Sequence, residues 1–186
     1  MPDEKRTHLM AEADVRRAIA RMGREIVERN GGTDDLVLMG IHRRGTTIAD
    51  WLQAEIETAE GVRVPSGSVD ITLYRDDLAE IGPRPVVGGS ELPPEGIDDR
   101  TVVIVDDVSY TGRTGRAALN ELTDWGRPRR VLLCVLVDRG GRELPIQPDI
   151  VGRTIQVLPH QRVEVMVPEI DGRVGVELVD LGSGAS

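Results

Sequence analysis

Apolar residues recur through residues 11–29, AEADVRRAIARMGREIVER, at Val15, Ala18, Ile19, Met22, Ile26 and Val27, with arginines and glutamates between them. Spacing of three and four predicts an amphipathic helix, which the following NGG would close. The unbroken apolar run LVLMGI at 36–41 predicts a buried strand, HRRG a turn, and TTIADWLQAEIETAEG a second helix, capped by Thr46 or Thr47. VDITLY at 69–74 alternates as a strand does. The 25 residues after it, RDDLAEIGPRPVVGGSELPPEGIDD, hold too much Gly and Pro for a regular element and are too many for an ordinary connection. They predict a functional excursion, a lid over about residues 75–100. A strand that opens the stretch 101–119, the helix that ends it, a strand at 130–137 and shorter strands near 153–158, 162–167 and 174–179 complete the pattern.

Strand and helix alternate from residue 36 to residue 137, which predicts an α/β fold with a central, mainly parallel sheet and helices on its faces. Ligands of such sheets bind beyond the carboxyl ends of the strands. The segments that fall there, HRRG, YRDDL, DDVSYTGRT and DRGGREL, all carry polar or charged residues suited to an anion. A chain of 186 residues, 39% hydrophobic, is expected to form one domain over 1–186, with a small hood built from the C-terminal strands 153–180 and the N-terminal region.

Charge narrows the ligand class. The formal net charge of -9 argues against the whole surface being a polyanion binder, so any nucleic-acid role must rest on a local basic face. Lys5 is the only lysine. Cys134, the only cysteine, sits in the apolar run VLLCVLV and reads as a small buried hydrophobe. His8, His42 and His160 are scattered and no CxxC occurs, which gives a structural zinc site no support. No stretch has the length and apolarity of a signal peptide or a spanning helix, and a cytoplasmic location without membrane attachment is expected.

The stretch TVVIVDDVSYTGRTGRAAL, 101–119, carries the chemistry. Two adjacent carboxylates end an apolar strand, where they would repel one another and resist desolvation unless a cation or hydroxyl donors met them. The backbone amides of Thr111, Gly112, Arg113 and Thr114 would open a helix, where free N–H groups and the helix dipole attract phosphate. Ser109, Thr111 and Thr114 add hydroxyls, and Gly112 permits close backbone approach. Asp106 and Asp107 are suited to a ribose hydroxyl pair about one sugar's length from that phosphate. Neither GxxxxGK[ST] nor GxGxxG is present.

Strand, paired acids, Thr-Gly-Arg-Thr loop and helix in that order resemble the type I phosphoribosyltransferases, which bind 5-phosphoribosyl 1-diphosphate (PRPP). DITLYRDDL at 70–78, GRPRRV at 126–131 and VLVDRGGRELPI at 135–146 resemble, more narrowly, the pyrimidine operon attenuator proteins that are also uracil phosphoribosyltransferases. The resemblance runs from about residue 14 to 180 and includes RRAIARM, EIVERN and GIHRRG. It implies the type I phosphoribosyltransferase fold and formation of UMP and diphosphate from uracil and PRPP, with Mg²⁺ carried by PRPP and no metal ligand directly assigned.

The same resemblance implies residue roles. Arg43 and Arg44 fall in the diphosphate loop, Arg75 and Arg84 in the lid, and Asp106 and Asp107 at the ribose. The loop from Val108 through Ser109, Tyr110, Thr111, Gly112 and Arg113 to Thr114 meets the 5′-phosphate, and Val137, Asp138 and Arg139 meet the base, in part through main-chain groups. Arg44, Arg75, Asp106 and Asp107 are the catalytic set. Purine-specific relatives have an aspartate where this chain has Tyr110, a poor proton acceptor at neutral pH, which disfavours a purine substrate.

A second implied activity is binding of a pyrimidine operon mRNA leader, signalled by uridine nucleotides such as UMP and UTP, on a basic face of a homodimer or higher homo-oligomer. Arg21, Arg24, Arg142 and Arg153 stand at matching places, while Gly141 replaces the usual histidine, Gln147 an arginine and Ala20 a threonine. TIQVLPHQ at 154–161 departs from the Pro-Thr-Ser sequence of the family's hood, and Ser109 stands where leucine is usual. Three readings follow: a uracil phosphoribosyltransferase that also regulates, an RNA-binding attenuator with little catalysis, and a phosphoribosyltransferase for another base.

Overall fold

The computed structural model describes residues 4–72 and 89–182. Five parallel strands form the central sheet, in the order β3 (Ser66–Val69), β2 (Leu36–Ile41), β4 (Thr101–Ser109), β5 (Arg130–Asp138) and β6 (Ile150–Thr154). Strand β2 is buried at every position. Its near-continuous apolar sequence is what a parallel strand covered on both faces requires.

The alternation of side chains sorts the core into two layers. Leu36 and Leu38 of β2, Val103 and Val105 of β4, and Leu132, Cys134 and Leu136 of β5 pack with Ile19, Met22 and Ile26 of helix α1 (Glu12–Asn30) and Leu52 and Ile56 of α2 (Arg44–Glu60). The opposite positions, Val37, Met39 and Ile41 with Val102 and Ile104, meet Ala118 and Leu122 of α3 (Arg113–Trp125) and Ile97. Leu52 is fully buried, and truncating such a leucine to alanine costs about 2–5 kcal/mol. Cys134 lies wholly inside, and burial pushes its thiol up, far from a nucleophile's range.

Helix α1 starts where Asp14 Oδ2 accepts the Ala11 N–H at 2.9 Å and stops at Gly31 (φ 73°). Neither threonine caps α2. The helix begins at Arg44, Thr46 Oγ1 donates to Arg43 O at 2.6 Å, and Thr47 Oγ1 donates to Glu169 Oε2 at 3.2 Å.

A separate antiparallel sheet, β1 (Lys5–Met10), β8 (Gly175–Asp180) and β7 (Gln161–Met166), forms the hood with the short helix α4 (Pro168–Asp171). Charge stitches its outer face: Arg6 reaches Glu164 (2.7 Å) and the buried Glu177 (3.0 Å), while Arg173 meets Glu177 from the other side (2.8 Å). Residues 153–154 depart from expectation. They end β6, which pairs in parallel with β5 through Cys134–Ile150 and Val135–Val151 and so belongs to the central sheet. The strand expected at 69–74 meets β3 only at Val69, and residues 73–74 lie outside the described residues.

Arg75, Arg84 and most of the expected lid lie outside the described residues. The described end of that segment is fixed: Ser68 and Glu91 exchange both backbone hydrogen bonds at 2.9 Å, Asp70 N donates to Ser90 Oγ at 2.8 Å, and Ile97 is buried. Among the described residues no helix is long and apolar enough to cross a membrane.

Candidate active site

The chain leaves β2 for β3 on one side and returns through β4 on the other, so the strand order reverses between β2 and β4. At such a switch point the carboxyl ends of neighbouring strands open a crevice. The turn 42–45 and the acids of β4 meet there. Gly45 makes the meeting possible: a Cβ on it would lie 2.5 Å from Val105 O and 3.3 Å from the Cα of Asp106. The His42–Arg43 peptide is cis, and His42 Nε2 lies 3.1 Å from Ser68 Oγ. Arg43 is exposed.

The Arg44 side chain turns to the hood. Its Nε donates to Val165 O at 2.9 Å and its Nη2 reaches Asp171 Oδ1 at 3.2 Å. Nη1 has no hydrogen-bond acceptor among the described residues.

Asp106 is 9% exposed, and its Oδ1 accepts the Asp107 N–H at 2.8 Å. Burial, reinforced by the Asp107 carboxylate beside it, holds its carboxyl well above the usual range. Asp107 is half-buried, with Oδ1 accepting the Val108 N–H at 2.8 Å. The strand end thus carries one acid against the core and one facing outward, the discomfort that their adjacency in the sequence signals.

Beyond Ser109 the chain turns into α3 through Gly112, whose φ of 92° favours glycine. A recess of about 140 Å³ opens there, lined by Asp106, Ser109, Tyr110, Thr111 and Thr114. The Thr111 hydroxyl accepts the Arg113 N–H at 3.2 Å. The first turn of a helix leaves N–H groups without intrahelical partners, which makes this recess attractive to an anion. The loop after β5 buttresses it: Glu143 N and Leu144 N both donate to Thr111 O, at 2.9 and 3.0 Å. Arg113 pairs with Glu143 at the surface (3.0 Å).

Val137 and Asp138 end β5 beside this loop and Arg139 follows them; Val137 is wholly buried, main chain included. Arg139 N donates to Ser109 O at 3.1 Å, and its guanidinium carbon lies 3.8 Å from the centre of the Tyr110 ring. Arg139 Nη2 also donates to Gln161 O at 3.2 Å. Gln161 is a neighbour that sequence reasoning missed as an individual residue, although it ends the divergent segment 154–161. Ile155 N donates to Asp138 O at 2.9 Å, which ties that segment to the same turn.

The four arginines expected on an RNA face differ. Arg142 is drawn into the loop, pairing with Asp138 at 2.7 Å and donating from Nε to Ile146 O at 2.8 Å and from Nη1 to Tyr110 O. Arg21 bonds the carbonyls of Val151 and Gly152, and Arg153 that of Leu9. Arg24 is exposed on α1.

Glu121 was not expected from the sequence. It lies on α3 at 4% exposure, accepts a hydrogen bond from Ser90 Oγ, and is pushed up to about 7 by burial and then by the Asp70 and Asp124 carboxylates. Among the described residues no group of three or more metal-ligating side chains converges.

Residues 7–169 match the family model described as the phosphoribosyl transferase domain. Relatives called bifunctional protein PyrR include one from Herpetosiphon aurantiacus, 55% identical over 88% of this chain and 90% of its own. Another, from Deinococcus radiodurans, is 47% identical over 92% and 93%. Among solved structures, the hypoxanthine phosphoribosyltransferase of Staphylococcus aureus superposes with a TM-score of 0.69 at 17% identity, covering 97% of this chain and 94% of that one. The Trypanosoma cruzi enzyme of the same name gives 0.68 at 18%, covering 93% and 95%. At these identities the likeness is one of fold.

Proposed function

Because the chain belongs to the phosphoribosyl transferase family, and within it groups with the bifunctional PyrR proteins, we propose that it transfers phosphoribose from PRPP to uracil and regulates pyrimidine gene expression by binding an mRNA leader. The observation that supports the first activity is that Asp106 lines one recess with Thr111 and Thr114 of the helix start, while Gly45 of the 42–45 turn packs against Val105 O and the Cα of Asp106.

In this reading the 5′-phosphate of PRPP lies on the amides and hydroxyls of Thr111 to Thr114. The Asp106 and Asp107 carboxylates accept hydrogen bonds from the ribose 2′- and 3′-hydroxyls, which relieves the mutual repulsion of the empty pair. The leaving diphosphate meets the backbone of the 42–45 turn, the Arg43 side chain and the Nη1 edge of Arg44, which has no acceptor among the described residues. Arg75 is assigned to the same leaving group on family grounds alone. Uracil sits against Val137, Asp138 and Arg139. The C1′–O bond to diphosphate breaks, the bond from uracil N1 to C1′ forms, and the N1 proton passes to solvent water or to the released diphosphate. A guanidinium beside the base favours the electron-rich pyrimidine that this loss creates.

The donor chemistry fits a hard divalent cation brought by the substrate, since carboxylate, ribose and diphosphate oxygens are the ligands Mg²⁺ prefers. When bound, that ion neutralises charge on the departing diphosphate. The regulatory activity rests on the relatives' name and on Arg21, Arg24 and Arg153, which are exposed. The basic face of this reading belongs to a homodimer or higher homo-oligomer.

The test is a base panel. The purified chain, labelled PRPP and Mg²⁺ are mixed with uracil, hypoxanthine or guanine; UMP formation is expected. Product from the purines alone would replace uracil with another base. No product from any base, with a leader gel shift retained, would leave the attenuator reading.

A further inference from the structure

We propose that Asp171 is a positioning residue for the diphosphate site, acting through Arg44. The inference deepens the phosphoribosyl transfer reading and rests on it. Asp171 ends α4 in the hood, 127 residues from Arg44 in sequence. Its Oδ1 and Oδ2 lie 3.2 and 3.5 Å from Arg44 Nη2, and Oδ2 also accepts the Val167 N–H at 2.9 Å, which fixes the carboxylate. Val165 O holds Nε of the same guanidinium. Two hood acceptors therefore engage two of its three nitrogens.

The next residue of the turn is pinned from the other side. Gly45 sits so close to the end of β4 that a methyl group there would lie 3.3 Å from the Cα of Asp106. One turn along α2, Thr47 Oγ1 donates to Glu169 Oε2, a second strut between the same two pieces. A line of contacts thus runs from the hood carboxylate through Arg44 to the ribose acids. Arginine loses much rotamer freedom when it binds a ligand. The Asp171 carboxylate holds Arg44 in place beforehand, so the diphosphate meets an arginine already oriented.

The experiment compares wild type with Asp171→Asn, Asp171→Ala, Arg44→Ala and the Arg44→Ala/Asp171→Ala double variant. Probes are PRPP with Mg²⁺, inorganic diphosphate and UMP. Asp171→Ala is expected to weaken PRPP and diphosphate about ten-fold, the scale of a lost hydrogen bond between charged groups. UMP, which has no diphosphate, should bind unchanged. Asp171→Asn keeps the acceptor for Val167 N–H and should fall between wild type and Asp171→Ala. In the Arg44→Ala background the second substitution should add nothing to the loss.

PRPP affinity within two-fold of wild type in Asp171→Ala, an equal loss of UMP binding, or additive losses in the double variant would each overturn the proposal. Failure of the wild-type chain to bind PRPP would defeat the transfer reading itself, and this inference with it.

Discussion

The guanidinium of Arg139 lies 3.8 Å above the ring of Tyr110, and on the ring's edge sits Gly141, where a Cβ would come within 2.5 Å of Cε2. The stack joins the end of β5 to the phosphate loop, the two segments assigned to base and ribose phosphate. A cation over an exposed ring is worth about 0.5–1 kcal/mol, enough to bias an arginine's orientation. Removing the ring takes away that bias and leaves the arginine its bond to Gln161 O.

Tyr110→Ala is therefore expected to raise the KM for uracil several-fold while changing the KM for PRPP less. Gly141→Ala should have two effects. The alanine must adopt a φ of 82°, costing about 1–2 kcal/mol of stability, and its methyl must push Tyr110 away from Arg139. Steady-state kinetics and a melting curve on each variant check both effects. An unchanged KM for uracil in Tyr110→Ala would remove the stack from base recognition.

Asp106 gives a stability prediction opposite in sign to its effect on activity. Its folded-state pKa is raised by burial and by Asp107, so its favourable contribution is full below the unfolded carboxylate pKa and is lost as pH rises through the folded value. At neutral pH the empty site carries the cost. Asp106→Asn preserves the acceptor for the Asp107 N–H and removes the charge. We expect UMP formation to fall by at least 100-fold while the melting temperature at pH 7 rises. A lower melting temperature would show that the Asp106 carboxylate stabilises the empty fold.

These acids were legible in the sequence because strand, carboxylates, loop and helix start follow one another within twenty residues, and local order is what a sequence displays. Strand β2 was legible to the residue for a similar reason, since each of its positions is apolar. Strand β1 was not: KRTHLM is exposed over most of its length, and Arg6 is held by Glu164 and Glu177, far along the chain. The placement of β6 failed because Ile150 and Val151 pair with β5, whereas the reading placed a strand at 153–158 and assigned it to the hood. The Arg44–Asp171 and Ser90–Glu121 contacts were invisible too, each joining single polar residues that have no local pattern.

Among the four arginines placed on the RNA face, Arg21, Arg24 and Arg153 are exposed, and Arg21 and Arg153 are tied to backbone carbonyls, so the loss of Arg24 should be felt mainly by phosphate. Arg24→Gln is predicted to weaken leader binding and to flatten the dependence of log affinity on log salt by roughly 0.7–0.9, one phosphate contact. Its melting temperature and UMP formation should not change. Arg142→Gln should instead lower the melting temperature, because that side chain holds Asp138, Ile146 O and Tyr110 O together. Gel shifts at several salt concentrations, with UMP saturating, check the first outcome. An unchanged salt slope in Arg24→Gln would remove α1 from the interface.

Glu121 supplies a pH dependence near neutrality. Its pKa of about 7 arises from burial and from the carboxylates of Asp70 and Asp124, so its favourable contribution is complete below the ordinary glutamate pKa and disappears as pH rises through about 7. The wild-type melting temperature should therefore fall between pH 6 and 8 relative to that of Glu121→Gln, in which the amide stays neutral and can still accept from Ser90 Oγ. Asp106 remains in both proteins, so its own pH dependence cancels in the difference. Because the Asp70 carboxylate opposes charge on Glu121 and Asp70 N is held by Ser90 Oγ, ionisation sets like charges against one another across the contact between α3 and the stem after β3. Parallel pH curves for the two proteins would mean that Glu121 titrates as an ordinary carboxyl and that the stem is held by other contacts.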